Sequence, residues 1–102
     1  MVKVDFDPVI DARLSIQRAL LGEVVPELRV VAFSINAKAV DVRFYFDGMI
    51  SEDAEESASC VETEILADYD SEDTVMIHCI RSDYPAQISD DGVWVYRRRE
   101  RE

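Results

Sequence analysis

The sequence predicts a single α+β domain in which two helices cover one face of an antiparallel sheet. Three observations carry this expectation. Two stretches place apolar residues at helical spacing behind a capping residue, one stretch alternates apolar and polar residues in strict period two, and the segments follow the order helix, strand, strand, helix, strand, strand. The composition agrees: 102 residues, 48% hydrophobic, with three Gly and three Pro, leave room for one core and little for linkers. The sequence has no internal repeat.

Val2, Val4 and Phe6 alternate with Lys3 and Asp5, which fits a short strand or an extended arm. Asp7-Pro8 then reads as a helix start, because Asp7 can cap free backbone N–H groups and Pro8 suits the first helical position. The first helix is expected over 8–21. Ile10, Leu14 and Leu21 form its apolar stripe, with Leu20 beside it, and Gly22 stops it. Pro26 marks a turn. Residues 28–35 are rich in Val, Phe and Ile and read as a strand. After the short break Asn36-Ala37-Lys38, Val40, Val42, Phe44 and Phe46 alternate with Asp41, Arg43, Tyr45 and Asp47. The short break makes the two strands an antiparallel hairpin, and the alternation gives it one buried and one wet face.

Ser51 precedes a second helix, whose stripe is Ala54, Ala58, Val61 and Ile65, ending near Ala67 or Tyr69. Two small residues in that stripe let it lie close to the sheet. Residues 74–80 are nearly continuous in apolar character and predict an interior strand. Residues 93–97 predict a last strand, with Trp94 and Tyr96 on one side and Val93 and Val95 on the other. The connection over 81–92 is long for a hairpin. The final six residues, RRRERE (97–102), read as a frayed charged tail.

Charge excludes several function classes. The net charge is -11, from 22 acidic and 11 basic residues. Direct nucleic-acid binding needs clustered Lys and Arg, and an anionic membrane would repel such a chain. A basic protein would be attracted to it. No apolar run is long enough to span a bilayer, and the N-terminus lacks the ramp of a signal peptide, so a cytoplasmic location is expected. Cys60 and Cys79 are too few for a disulfide framework and read as half-buried thiols.

No catalytic or metal site is expected, and no cofactor. His78 lies within an apolar strand and reads as a hydrogen-bonded histidine. A nucleophile at Cys79 would point to the opposite face, and nothing in the sequence places Cys60 beside His78. The paired carboxylates Glu52 with Glu55 or Glu56 lack a calcium-loop pattern.

The acidic stretch is the informative feature. Residues 51–73 hold ten acids and no Lys or Arg. A solubilising helix mixes signs, because Glu–Lys pairs four apart add about 0.2–0.5 kcal/mol each. Acids at a helix start are expected from the dipole, whereas acids at its end are unfavourable by about 0.3–1 kcal/mol. The expected partner-binding residues are therefore Glu55, Glu56, Glu62, Glu64, Asp68, Tyr69, Asp70, Glu72 and Asp73. Asp41, Arg43 and Tyr45 on the open sheet face, with Tyr84 in the long connection, form the alternative surface.

Residues 19–69, with LLGEV, the strand RFYFDG and the helix SASCVETEILADY, resemble a family of bacterial immunity proteins of contact-dependent growth inhibition and other polymorphic toxin systems. The resemblance covers about half of the chain and implies no catalytic residues. It implies as partner the C-terminal domain of a cognate toxin, basic and often a nuclease, whose active site an acidic inhibitor would occlude. The other reading is a non-catalytic acidic adaptor for a basic host protein. A third is a small enzyme using His78 and a carboxylate. The exposed edges of the sheet leave a homo-oligomer open.

Overall fold

A computed structural model describes residues 7–100 of the chain, and the expected strand or arm at Val2, Val4 and Phe6 lies outside them. The elements are α1 (Pro8–Ala19), β1 (Leu28–Asn36), β2 (Ala39–Phe46), α2 (Glu52–Leu66), β3 (Thr74–Arg81) and β4 (Val93–Arg97). The capping residues do what their chemistry allows: Asp7 Oδ1 accepts from the Val9 N–H at 2.9 Å, and Ser51 Oγ from the Ala54 N–H at 3.1 Å. Beyond α1, Gly22 takes φ +81°, a left-handed conformation that glycine adopts without steric cost.

The sheet is mixed, which corrects the antiparallel expectation. Its order is β3-β2-β1-β4, with β1 antiparallel to both β2 and β4, and β2 parallel to β3. The reason is the helix between β2 and β3. It returns the chain to the end where β2 began, so β3 pairs with β2 in parallel. The apolar run of β3 therefore sits at an edge rather than in the interior. Val75, Ile77 and Cys79 share the register face of Val40, Val42 and Phe44, while Met76 and His78 share that of Asp41 and Arg43.

The core lies between helices and sheet. Phe33, Phe44, Phe46, Val31 and Val42 meet Ile16 from α1 and Ala54, Ala58, Val61 and Ile65 from α2. The α2 stripe is the expected one. The α1 stripe is not: its buried residues are Ala12, Ser15, Ile16 and Ala19, whereas Ile10, Leu14 and Leu21 are exposed. Small side chains let α1 approach the sheet closely. In β4 a bulge pairs Trp94 with Ala32 but Tyr96 with Val31, so the two aromatic residues do not share a side.

β3 and β4 occupy opposite edges yet run the same way, so residues 82–92 must cross the sheet diagonally. At ~4.8 Å per strand spacing and ~3.4 Å per residue the diagonal is about 30 Å, which such a segment, reaching roughly 36–40 Å when extended, spans with room for the turn closed by the Ala86 N–H on the Asp83 carbonyl. The crossing segment is tied down on the face away from the helices. Asp90 accepts from Arg43 Nε at 3.0 Å, from Arg43 Nη2 at 2.7 Å and from the Tyr45 hydroxyl at 2.6 Å. The Trp94 indole N–H donates to the Asp90 carbonyl at 3.0 Å. Gly92 is required here, since a Cβ would overlap the Arg43 guanidinium and the Phe33 carbonyl oxygen.

The expected frayed tail is instead anchored through residue 100. Arg29, at a bulge in β1, is buried and paired with Glu100 at 2.6 Å, and it donates to the Ser82 carbonyl at 2.8 Å. Arg98 reaches Asp47 at 3.1 Å and the Pro26 carbonyl at 2.9 Å. Residues 101 and 102 lie outside the described part.

The Arg43–Asp90 pair generates a pH prediction. The side chains of Asp90 and Arg43 are only 4% and 16% exposed, and the Arg43 hydrogen bond holds the Asp90 carboxyl well below the usual carboxylate range. A depressed carboxyl pKa stabilises the fold above the unfolded value near pH 4, and that contribution is lost as pH falls toward the lower folded value. Asp90→Asn is expected to cost about 3 kcal/mol at pH 7. In urea titrations from pH 7 to pH 3 its stability should fall less steeply than that of the unmodified chain. Equal slopes would remove Asp90 from this role.

Candidate functional site

The acidic surface is built on α2 and the turn after it. With Ala54, Ala58, Val61 and Ile65 inward, the 100° step per residue sends Glu52, Glu56, Ser59 and Thr63 outward. Glu55 and Glu62 lie on the flank toward β3, where the Glu55 carboxylate acts on the Cys79 thiol. Glu64 and Asp68 lie on the opposite flank, against α1. The first turn holds Glu52, Asp53 and Glu55, and the last turn holds no base to answer the dipole.

Some expected contact residues have folding partners. Asp68 accepts from the Ser15 hydroxyl at 2.7 Å and from Arg18 at 2.8 Å, fastening α2 to α1. These two hydrogen bonds, that of Ser15 first, lower its carboxyl pKa. Glu72 pairs with Lys38 at 2.8 Å on the surface. Asp73 accepts from the Asp70 N–H at 3.0 Å within the turn. Tyr69 is half-buried and packs on the core, and burial raises its phenol pKa. Among the described residues no ion pair forms at Glu55, Glu56, Glu62, Glu64 or Asp70.

The alternative surface is not the open sheet face the alternation suggests. Arg43 is held by Asp90, by Asp41 at 2.9 Å and by the Ser34 hydroxyl at 2.9 Å. Burial and the Asp90 hydrogen bond raise the Tyr45 phenol pKa. Tyr84 stands at the start of the crossing segment under the Arg29 guanidinium, 5.8 Å from its ring centroid. Beside it lies a cavity of about 480 Å³ lined by Trp94, Ile88 and Arg97 among others. Arg29, Asp90 and this cavity were beyond sequence reasoning, because only the crossing of the sheet brings them together.

His78 Nε2 lies 2.9 Å from Asp41 Oδ2 on the sheet face away from the helices. The sheet therefore separates it from Cys79 and from Cys60 on α2. Both cysteines are exposed residues, against the half-buried expectation. Partial burial nevertheless raises the Cys79 thiol pKa, with Glu55 adding to it. Among the described residues no group of three or more His, Cys, Asp and Glu is placed to hold a metal ion, and no helix is long and apolar enough to cross a membrane.

The family model of the MafI2 immunity protein matches residues 9–100, which span α1 through β4 and the anchored residues after it. The chain belongs to the MafI2 immunity protein family. No curated protein matches its sequence. Membership extends the resemblance seen over residues 19–69 to nearly the whole chain. An immunity protein implies a cognate toxin as partner.

The unpaired acids of this immunity protein give a stability prediction. Glu56→Lys would place a cation four residues after Glu52, and Glu64→Lys would place one near the C-terminal end of the helix, where the dipole favours it. Each change is expected to leave stability within about 0.5 kcal/mol or to raise it. Thermal unfolding of the two variants checks this, and a loss above about 1 kcal/mol would give those acids a folding role.

Proposed function

We propose that this immunity protein neutralises a basic toxin domain, of the kind that grips nucleic acid, by covering its active-site cleft with the outward face of α2. The toxin belongs to a contact-dependent or other polymorphic system, most simply as a nuclease, and the encounter takes place in the cytoplasm. The observation that carries the reading is the run from Phe44 to Ile80, which has no Lys or Arg and includes the whole of α2. A surface of one sign steers an opposite one, raising association rates by roughly 10–10³ at low salt. Phosphate-binding clefts carry Lys and Arg, so an acidic helix competes for the groups that would hold substrate.

Glu55, Glu56, Glu62, Glu64 and Asp70 are the proposed first contacts, because no ion pair among the described residues competes for them. Asp68, Glu72 and Asp73 border that patch while serving the fold, and Tyr69 supports it from below. The sheet face is the weaker candidate, since Asp90 already engages Arg43 and Tyr45.

The test is the association rate with the toxin domain encoded beside this chain. Replacing Glu55, Glu56 and Glu62 together by Lys is expected to slow association about tenfold at low salt and to flatten its dependence on ionic strength. An unchanged rate and salt slope would move the docking face away from α2.

A further inference from the structure

α1 buries Ile16 but leaves Ile10 and Leu14 on the side away from the core. Its buried face is Ala12, Ser15, Ile16 and Ala19, whereas Ile10, Leu14 and Leu21 are 55%, 56% and 78% exposed. At 3.6 residues per turn Ile10 and Leu14 point nearly opposite to that buried face, and Leu21 continues their line just beyond the helix. A single exposed Leu is ordinary, but an aligned apolar ridge is not. Folding does not call for it, because Ile16 and the small residues beside it already dock the helix and Asp7 and Pro8 already start it.

The neighbours of the ridge bear on its occupant. Arg13 turns toward β4, donating to the Trp94 carbonyl at 3.3 Å, and Arg18 turns toward α2, pairing with Asp68 at 2.8 Å. Both cations of α1 are thus engaged within the molecule. Through Asp68 the ridge adjoins the acidic outer surface of α2. A second copy docking here would set two such acidic helices close together on chains of net charge -11 each, which like-charge repulsion opposes. A basic partner meets attraction from α2 and an apolar contact from α1 on the same side of the molecule.

We propose that the Ile10, Leu14 and Leu21 ridge is the apolar centre of the toxin-binding surface and packs against an apolar patch bordered by Lys and Arg on the toxin domain. The proposal rests on the immunity reading and divides its labour: α2 governs how fast the partners meet, and α1 governs how long they stay together.

The experiment uses the full chain and a catalytically inactive form of the toxin domain encoded beside it. Replacing Ile10 and Leu14 together by Ser should leave thermal unfolding nearly unchanged, since both are exposed. It should raise the dissociation rate at least tenfold while preserving the association rate and its salt slope. Leu21→Ser, outside the helix and more exposed, is the second variant should the first fold poorly, with a rise in the same direction. A dissociation rate equal to that of the unmodified chain in a folded variant overturns the ridge but not the immunity reading. Absence of binding by the unmodified chain overturns both. Sedimentation of the free chain at tens of micromolar should show a monomer, and a dimer that the Ser substitutions dissociate would assign the ridge to a second copy instead.

Discussion

Two parallel strands at opposite edges of a four-stranded sheet force the chain to cross that sheet, and the Arg43–Asp90 ion pair is what holds the crossing in place. The rest of the architecture follows from this constraint. The crossing segment forms neither helix nor strand, so its backbone is fastened by side chains: Asp90 on Arg43 and Tyr45, Trp94 on the Asp90 carbonyl, Arg29 on the Ser82 carbonyl. Among the described residues no buried side-chain polar atom lacks a partner. β1 becomes the buried central strand because helices cover one of its faces and the crossing segment the other. On that face Arg29 and Arg43 are consumed in internal pairs, whereas among the described residues Glu55, Glu56, Glu62 and Glu64 of α2 form no ion pair.

The two surfaces therefore differ in chemical freedom. On the sheet side, charge is balanced locally. Asp41, Arg43, His78 and Asp90 form one connected network in which each charged group has an opposite or hydrogen-bonding neighbour. On the helical side, among the described residues, α2 carries acids that form no ion pair and α1 carries aliphatic side chains that stand exposed. Either feature alone could be a solvated face. Together, on adjacent helices joined by Asp68 to Ser15 and Arg18, they make a mixed acidic and apolar surface suited to a basic protein.

The legible parts of the fold were those set by local chemistry. Helix starts at Asp7-Pro8 and Ser51, the alternation through β2 and the stripe of α2 all depend on neighbouring residues, and each element stands close to its expected position. The parallel pairing of β3 was latent in the strand–helix–strand order, but its continuous apolar run pointed to an interior strand. α1 misled for a physical reason. Its most hydrophobic stripe is Ile10, Leu14 and Leu21, yet the sheet selects the face where Ile16 is flanked by Ala12, Ser15 and Ala19, because those small residues permit close packing. The ten acids of residues 51–73 were visible at once. That Asp68 and Glu72 have internal partners was not, since Ser15 and Lys38 are remote in sequence and only the tertiary fold presents them. The Asp90 anchor was hidden for the same reason.

The central claim is that the helical layer receives the toxin while the crossed sheet face stays in solvent. Hydroxyl-radical footprinting of the chain, free and bound to the toxin domain encoded beside it, tests this at side-chain resolution. Ile10, Leu14, Leu21 and Cys60 report on the helical side, and Met76, Tyr84 and Trp94 on the sheet side. The account predicts that oxidation of the first group falls on binding while that of the second is unchanged. Protection of Met76, Tyr84 and Trp94 with Leu14 and Cys60 still reactive would contradict it.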